Sequence, residues 1–196
     1  MENDSRNMNE LLKSISRCSV CEGLPMGPRP IVSAQTTSKL VIIGQAPGKA
    51  VHLSGIPWDD KSGDSLRNWM GMDKSVFYDP QQVALIPMGF CYPGKGKSGD
   101  LPPRKECAPL WHDLLFEALI DYRLILLVGK YAQDYYLPKA SKETLTENVK
   151  NFRKYLPNFF PLPHPSPRNN IWQAKNPWFK EDVIPALKIS VKSLLK

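Results

Sequence analysis

No apolar run in this 196-residue chain approaches the roughly 20 residues of a membrane-spanning helix, which excludes a helical membrane span. The amino terminus, Met1-Glu2-Asn3-Asp4-Ser5-Arg6-Asn7-Met8, is polar and lacks the apolar core of a secretory signal. The expectation is therefore a cytoplasmic protein without a membrane partner. Cysteine is scarce, at four residues. Without a secretory signal these argue against structural disulfides and leave a metal site or plain buried thiols. There is no internal repeat and no linker long enough to separate domains, so residues 1–196 are expected to form a single domain and a monomer.

What is present is an ordinary globular composition, 42% hydrophobic and 23% charged, with a net charge of +7. The excess of cations favours an anionic partner such as nucleic acid, although charge alone is a weak indicator. Nineteen prolines fall mostly between periodic segments and read as rigid loops.

Two stretches stand out. Leu40–Gly48 reads L-V-I-I-G-Q-A-P-G, and Asn158–Asn170 reads N-F-F-P-L-P-H-P-S-P-R-N-N. Each is a short apolar run that stops at a polar loop bearing proline. Such runs fit strands buried on both faces of a parallel sheet, and ligands bind beyond the carboxyl ends of those strands. Read alone, either stretch is equally a plain strand and turn.

Along the chain, Asn9–Ser19 has helical spacing of Leu11, Leu12, Ile15 and Cys18. Strands are expected at Lys39–Ile43, Val83–Met88, Arg123–Gly129 and Phe159–Leu162, the last interrupted by Pro161. Gln45–Asp60 reads as a long loop, Phe77–Pro80 as a turn and Tyr92–Pro103 as a Lys/Gly/Pro loop. Helices are expected at Ser62–Met70, from near Glu106 through Leu119, around Tyr131 and at Leu145–Tyr155. Asn176 and Pro177 read as the cap and first residue of a last helix, bent near Pro185 and ending near Leu195. Strands alternating with helices predict an α/β fold: three layers, α/β/α, around a mostly parallel sheet of about four strands.

Gly44-Gln45-Ala46-Pro47-Gly48 and His164-Pro165-Ser166-Pro167 together resemble the two signature motifs of the uracil-DNA glycosylase superfamily, closest to its iron–sulfur branch in bacteria and archaea. That branch carries G-E-A-P-G followed without gaps by a segment ending G-R-P-F; here Gly55-Ile56-Pro57-Trp58 stands at that distance. Its cysteine pattern also matches. Cys18 and Cys21 form C-x2-C, and Cys91 and Cys107 have fifteen residues between them. In the branch such cysteines hold a [4Fe–4S] cluster. Four thiolates suit a cluster or a structural Zn2+ equally, and four unrelated buried thiols remain the third reading. A cluster would staple the N-terminal helix to the Tyr92–Glu106 loop.

The resemblance implies a base-excision DNA glycosylase, which flips a damaged base out of DNA and hydrolyses its N-glycosidic bond. By this correspondence His164 donates a hydrogen bond to the leaving base, Trp58 stacks on it, and Gln45 and Ala46 line its pocket. Ser166 and Arg168 meet the DNA, Arg168 filling the gap left by the flipped base, and Lys95, Lys97 and Arg104 offer a phosphate-contacting loop. Three positions depart from the branch. Gln45 replaces its Glu and cannot act as a base. His52 replaces an acidic residue that positions water, a role that a neutral imidazole can take. Pro87 replaces the Asn that reads uracil and offers neither an amide side chain nor a backbone N–H. The excised base is then expected to differ from uracil, or catalysis to be weak. A catalytically inactive nucleic-acid-binding relative, and an enzyme of free nucleosides or nucleotides, are the competing readings.

Overall fold

The computed structural model describes residues 2–137 and 143–195. Four strands, β1 (Leu40–Ile43), β2 (Val83–Leu85), β3 (Leu124–Val128) and β4 (Phe159–Leu162), form one sheet in the order β2-β1-β3-β4. All three pairings are parallel, with Leu40 level with Val83 on one side and with Leu124 on the other.

The period-2 geometry of the strands divides the core. Leu40, Ile42, Leu124, Leu126, Phe160 and Leu162 face one side. There they meet Leu66, Trp69 and Met70 of α3 (Lys61–Met70), Val149 of α7 (Leu145–Lys150) and Leu187 and Val191 of α9 (Ile184–Leu194). Val41, Ile43, Ile125 and Leu127 face the other. They meet Met8 and Ile15 of α1 (Glu2–Ser16), Leu115 of α5 (Cys107–Ala118) and Ala132 of α6 (Lys130–Tyr136). The result is the expected α/β/α sandwich. Pro161 is accommodated because β4 is an edge strand, whose outer side has no neighbour to bond. The opposite edge is partly covered: Ser33 and Leu85 exchange backbone hydrogen bonds of 3.1 and 2.7 Å.

Several elements differ from expectation. Gln45–Asp60 is not all loop, since α2 (Lys49–Ser54) lies inside it and ends at Gly55 in the left-handed conformation. Another short helix, α4 (Lys74–Phe77), precedes the expected turn. Strand β2 stops at Leu85, before Pro87, although Met88 N–H still bonds to Gly44 O at 2.9 Å. Leu145–Tyr155 breaks at Asn151 into α7 and a 3-10 turn, Phe152–Tyr155. Asn176 ends α8 (Asn170–Lys175) instead of opening the last helix, and its side chain donates to Trp172 O. The bend near Pro185 takes the form of a π turn, Phe179–Val183, leading into α9. Pro185 has no N–H for an ordinary helical bond, which favours the wider turn just before it.

The chain visits β1, then β2 on one side, then β3 on the other. The order therefore reverses between β1 and β3, and a crevice opens beyond the carboxyl ends of the strands at such a reversal.

Candidate active site

A cavity of about 470 Å3 occupies that crevice. Residues following β1 (Gly44, Gln45, Ala46), β2 (Pro87) and β4 (His164, Ser166, Arg168) line it, with Trp58 and Lys95. Eight of the residues expected at the site therefore meet in one place: Gln45, Ala46, Trp58, Pro87, Lys95, His164, Ser166 and Arg168.

Trp58 has a φ of +58°, unfavourable for a bulky L-residue and tolerated only where surrounding contacts enforce it. Its carbonyl accepts hydrogen bonds from Tyr78 Oη (3.3 Å) and Arg67 Nη1 (3.4 Å). Arg67 is itself buried and held by Asp64. The indole lies over Gly44, where a Cβ would come within 2.6 Å of the ring. It also stacks on His164, with ring centroids 6.0 Å apart and planes 29° apart. Motif one, Trp58 and motif two thus form one wall.

His164 is half-buried, and its carbonyl is gripped by the Asn169 side chain. Burial holds its imidazole below the ordinary pKa, while the negative charge of Asp60 acts the other way. At neutral pH the ring is neutral and offers one N–H and one lone pair. Asp60 caps α3, its Oδ1 accepting from Gly63 N–H at 2.8 Å. Behind Pro87, fully buried His112 bonds Pro87 O through Nε2 (3.1 Å) and Tyr136 Oη through Nδ1. A carbonyl only accepts, so Nε2 carries the proton and Nδ1 accepts from the tyrosine. Pro87, as a proline, has neither a side-chain amide nor a backbone N–H, and this bond engages its carbonyl as well.

The 94–101 loop supplies another side of the cavity through Lys95, Ser98, Gly99 and Asp100. Leu101 N–H bonds to Gly94 O (2.8 Å), Gln45 Nε2 to Leu101 O (3.3 Å), and Arg168 Nη1 to Ser98 O.

His52 does not line the cavity. It is 5% exposed, its ring lies against Tyr92, and its buried Nδ1 has no hydrogen-bond partner among the described residues. Burial and the neighbouring Arg29 cation keep its pKa low. Lys97 is also outside the cavity wall, and Arg104 donates to Glu22 O instead. Asp60, Asp100, Ser98 and Asn169 line the cavity without having been expected there. Only Asp60 carried a sequence signal, as an N-cap residue type just before an apolar helical run.

Cys18, Cys21, Cys91 and Cys107 surround a second, much smaller cavity of about 10 Å3, walled by Leu24, Pro28, Pro30 and Phe90. Among the described residues no three Cys, His, Asp or Glu side chains stand in an arrangement that would hold a metal ion as they are. Burial pushes the Cys107 thiol up to about 12 and raises Cys21 and Cys91 as well. Backbone N–H groups are nonetheless aimed at two of the sulfurs, Phe90 at Cys107 (3.5 Å) and Arg29 at Cys91. Donors of this kind stabilise thiolate once a metal has displaced the proton. Four sulfurs around an apolar recess are the donor chemistry that a structural metal group would call on.

A sequence model of the uracil DNA glycosylase superfamily matches residues 32–188, a span that includes every residue of the main cavity except Ile31. The chain belongs to the uracil-DNA glycosylase superfamily. The superfamily acts on DNA and generally hydrolyses N-glycosyl bonds in it. The match covers Cys91 and Cys107 but begins after Cys18 and Cys21. Among the described residues no helix is long and apolar enough to cross a membrane.

Proposed function

We infer that this superfamily member is a DNA glycosylase of base-excision repair whose excised base is not read as uracil is. The observation that carries this reading is the single wall in which Trp58 stacks on His164 over Gly44, beside a cavity of about 470 Å3 that has room for an extruded nucleotide. In this reading a nucleotide is extruded from the duplex and its base slides against Trp58. As the glycosidic bond breaks, negative charge grows on the base, and the N–H of neutral His164 stabilises it. Pro87 leaves the floor without a side-chain amide, so selection rests on shape and on Gln45 and the Ala46 amide. Ser166, Lys95 and Lys97 hold the phosphates, and Arg168 fills the gap left by the flipped base. Cys18, Cys21, Cys91 and Cys107 would hold a [4Fe–4S] cluster, or a zinc ion, that supplies cross-linking and no chemistry of the reaction.

The test is a panel of labelled oligonucleotides, each bearing one candidate lesion, incubated with the protein and then with alkali. Cleavage of one lesion is expected. With that substrate, His164→Ala lowers the single-turnover rate by about 10²–10³-fold, as for loss of one oxyanion-type donor. DNA affinity changes little, because phosphate contacts carry most of it. A folded His164→Ala protein that cleaves at the parental rate ends the assignment. A parent that binds DNA and cleaves nothing is the inactive relative. For the cysteines, anaerobically purified protein is expected to be yellow-brown and to contain iron and acid-labile sulfide. Colourless protein with stoichiometric zinc selects zinc, and colourless, metal-free, folded protein excludes both.

A further inference from the structure

Hydrolysis of a glycosidic bond places positive charge on the sugar and consumes a water, and both call for an anion or base beside the anomeric carbon. Gln45 is neither. His52, the other residue expected to serve, is buried beside Tyr92 and does not line the cavity. Among the described residues, the carboxylates that line the cavity are Asp60 and Asp100.

Their surroundings differ. Asp100 belongs to the 94–101 loop, lies among the charges of Arg168, Asp60 and Lys95, and would have its Oδ2 within 3.3 Å of a Cβ placed on Gly48. Burial, helped by the Asp60 charge, raises its pKa against the pull of Arg168 and Lys95, so it is the less suited of the two to stand as an anion. Asp60 stands at the start of α3, two residues after Trp58, on a regular element. One carboxylate oxygen, Oδ1, is fixed by Gly63 N–H at 2.8 Å, which sets the orientation of the whole group. Among the described residues no cation is paired with the carboxylate. Asp60 and His164 line the same cavity, and the carboxylate's charge acts on the His164 ring. A carboxylate locked by a helix cap beside a stacking wall is pre-organised for such a role.

We propose that Asp60 is the anion that faces the deoxyribose of the flipped nucleotide, where it stabilises the cationic sugar and accepts the proton of the attacking water. This rests on the glycosylase reading. The water oxygen bonds to C1′ as the C1′–N bond breaks, and that electron pair leaves with the base. The water proton passes to Asp60 and then to solvent. The base, held as an anion by His164, takes a proton from solvent on release.

The experiment has two readouts. The first is the affinity of the protein for duplexes containing either a pyrrolidine abasic analogue, cationic at neutral pH, or a neutral tetrahydrofuran analogue. The parent is expected to prefer the cationic analogue by about tenfold, a modest Coulombic gain at short range. Asp60→Asn retains the helix cap, since Asn caps as well as Asp. It should abolish that preference while leaving affinity for the neutral analogue unchanged. Asp60→Ser, another capping residue, should do the same, and thermal melting checks that both fold. A parent without preference, or a folded Asp60→Asn protein that keeps it, overturns the proposal. So does a preference lost in Asp100→Asn and kept in Asp60→Asn. The second readout is single-turnover cleavage of whichever lesion the parent accepts, expected to fall about 10²–10⁴-fold in Asp60→Asn. A parent that cleaves no lesion but keeps the Asp60-dependent preference would remove the hydrolytic reading and still leave Asp60 as the anion facing the sugar.

Discussion

At Trp58 a single residue joins backbone conformation, packing and function. Its left-handed φ of +58° brings its carbonyl close over α3, where a Cβ on Gly63 would lie 1.8 Å from that oxygen. Replacing a helical glycine with alanine ordinarily stabilises by up to about 1 kcal/mol. Here the sign reverses, because the obstruction is backbone and cannot rotate away. Gly63→Ala is expected to destabilise the protein by more than about 3 kcal/mol, read as a lower urea midpoint. Gly44→Ala meets the edge of the Trp58 ring instead, at 2.6 Å. It should fold, with the indole displaced and capture of an extruded base weakened. A Gly63→Ala protein as stable as the parent would show that Trp58 does not hold this conformation in solution. None of this was legible beforehand: a tryptophan after Ile-Pro reads as a stacking or core residue, and nothing in its neighbours announces a positive φ.

Among the elements, the 94–101 loop is the one whose role depends on where it lies. Its sequence, rich in lysine and glycine, suggested a phosphate-contacting surface. The fold lays it along one side of the cavity, tied to Gln45 through Leu101 O and to Arg168 through Ser98 O. Lys95 lines the cavity, and Lys97 is exposed beyond it. Each phosphate contact releases counterions and contributes about one to the salt slope of DNA affinity. Lys95→Ala combined with Lys97→Ala should weaken binding to all sequences alike and lower that slope by about 2. Unchanged affinity and slope would take the loop off the DNA surface. Arg104, expected in the same surface, instead bonds Glu22 O and ties the Cys18–Cys21 segment to the chain that leads into Cys107. Side chains in one loop can thus serve opposite ends of it, a division that residue type alone does not reveal.

In the whole molecule, burial of neutral histidine links acid stability to the site. His112 is wholly buried between Pro87 O and Tyr136 Oη, and burial pushes its pKa down from 6.5 to about 4. The unfolded chain therefore takes up the proton first. The stabilisation is fully present above pH about 6.5 and is lost as pH falls from there towards about 4. His52 and His164, also lowered by burial, add to the same trend. Urea midpoints should fall across that window. His112→Gln should be less stable than the parent at neutral pH, where it disturbs two buried hydrogen bonds, and should show a shallower fall with acid. A variant with the parental pH dependence would show that His112 titrates normally.

The class of fold, its four strands and the two motif loops were determined by local chemistry that the sequence displays openly. Leu40–Ile43 and Leu124–Val128 are too uniformly apolar to be anything but strands covered on both faces, and parallel strands end in loops on one side of the sheet. Once that holds, Gln45 and His164 must emerge at the same edge. What could not be read was whatever depends on contacts between segments distant in the chain. Helix α2 inside the Gln45–Asp60 stretch is too short for periodicity to mark. Asn176 has the right chemistry to start a helix, yet it ends one, because its side chain bonds back to Trp172 O. His52 stands at a family position in register but falls on the buried side of α2, while Asp60, read from the sequence only as the end of a loop, opens onto the cavity. Sequence spacing places a residue along an element, whereas the face it presents is decided by what packs against that element.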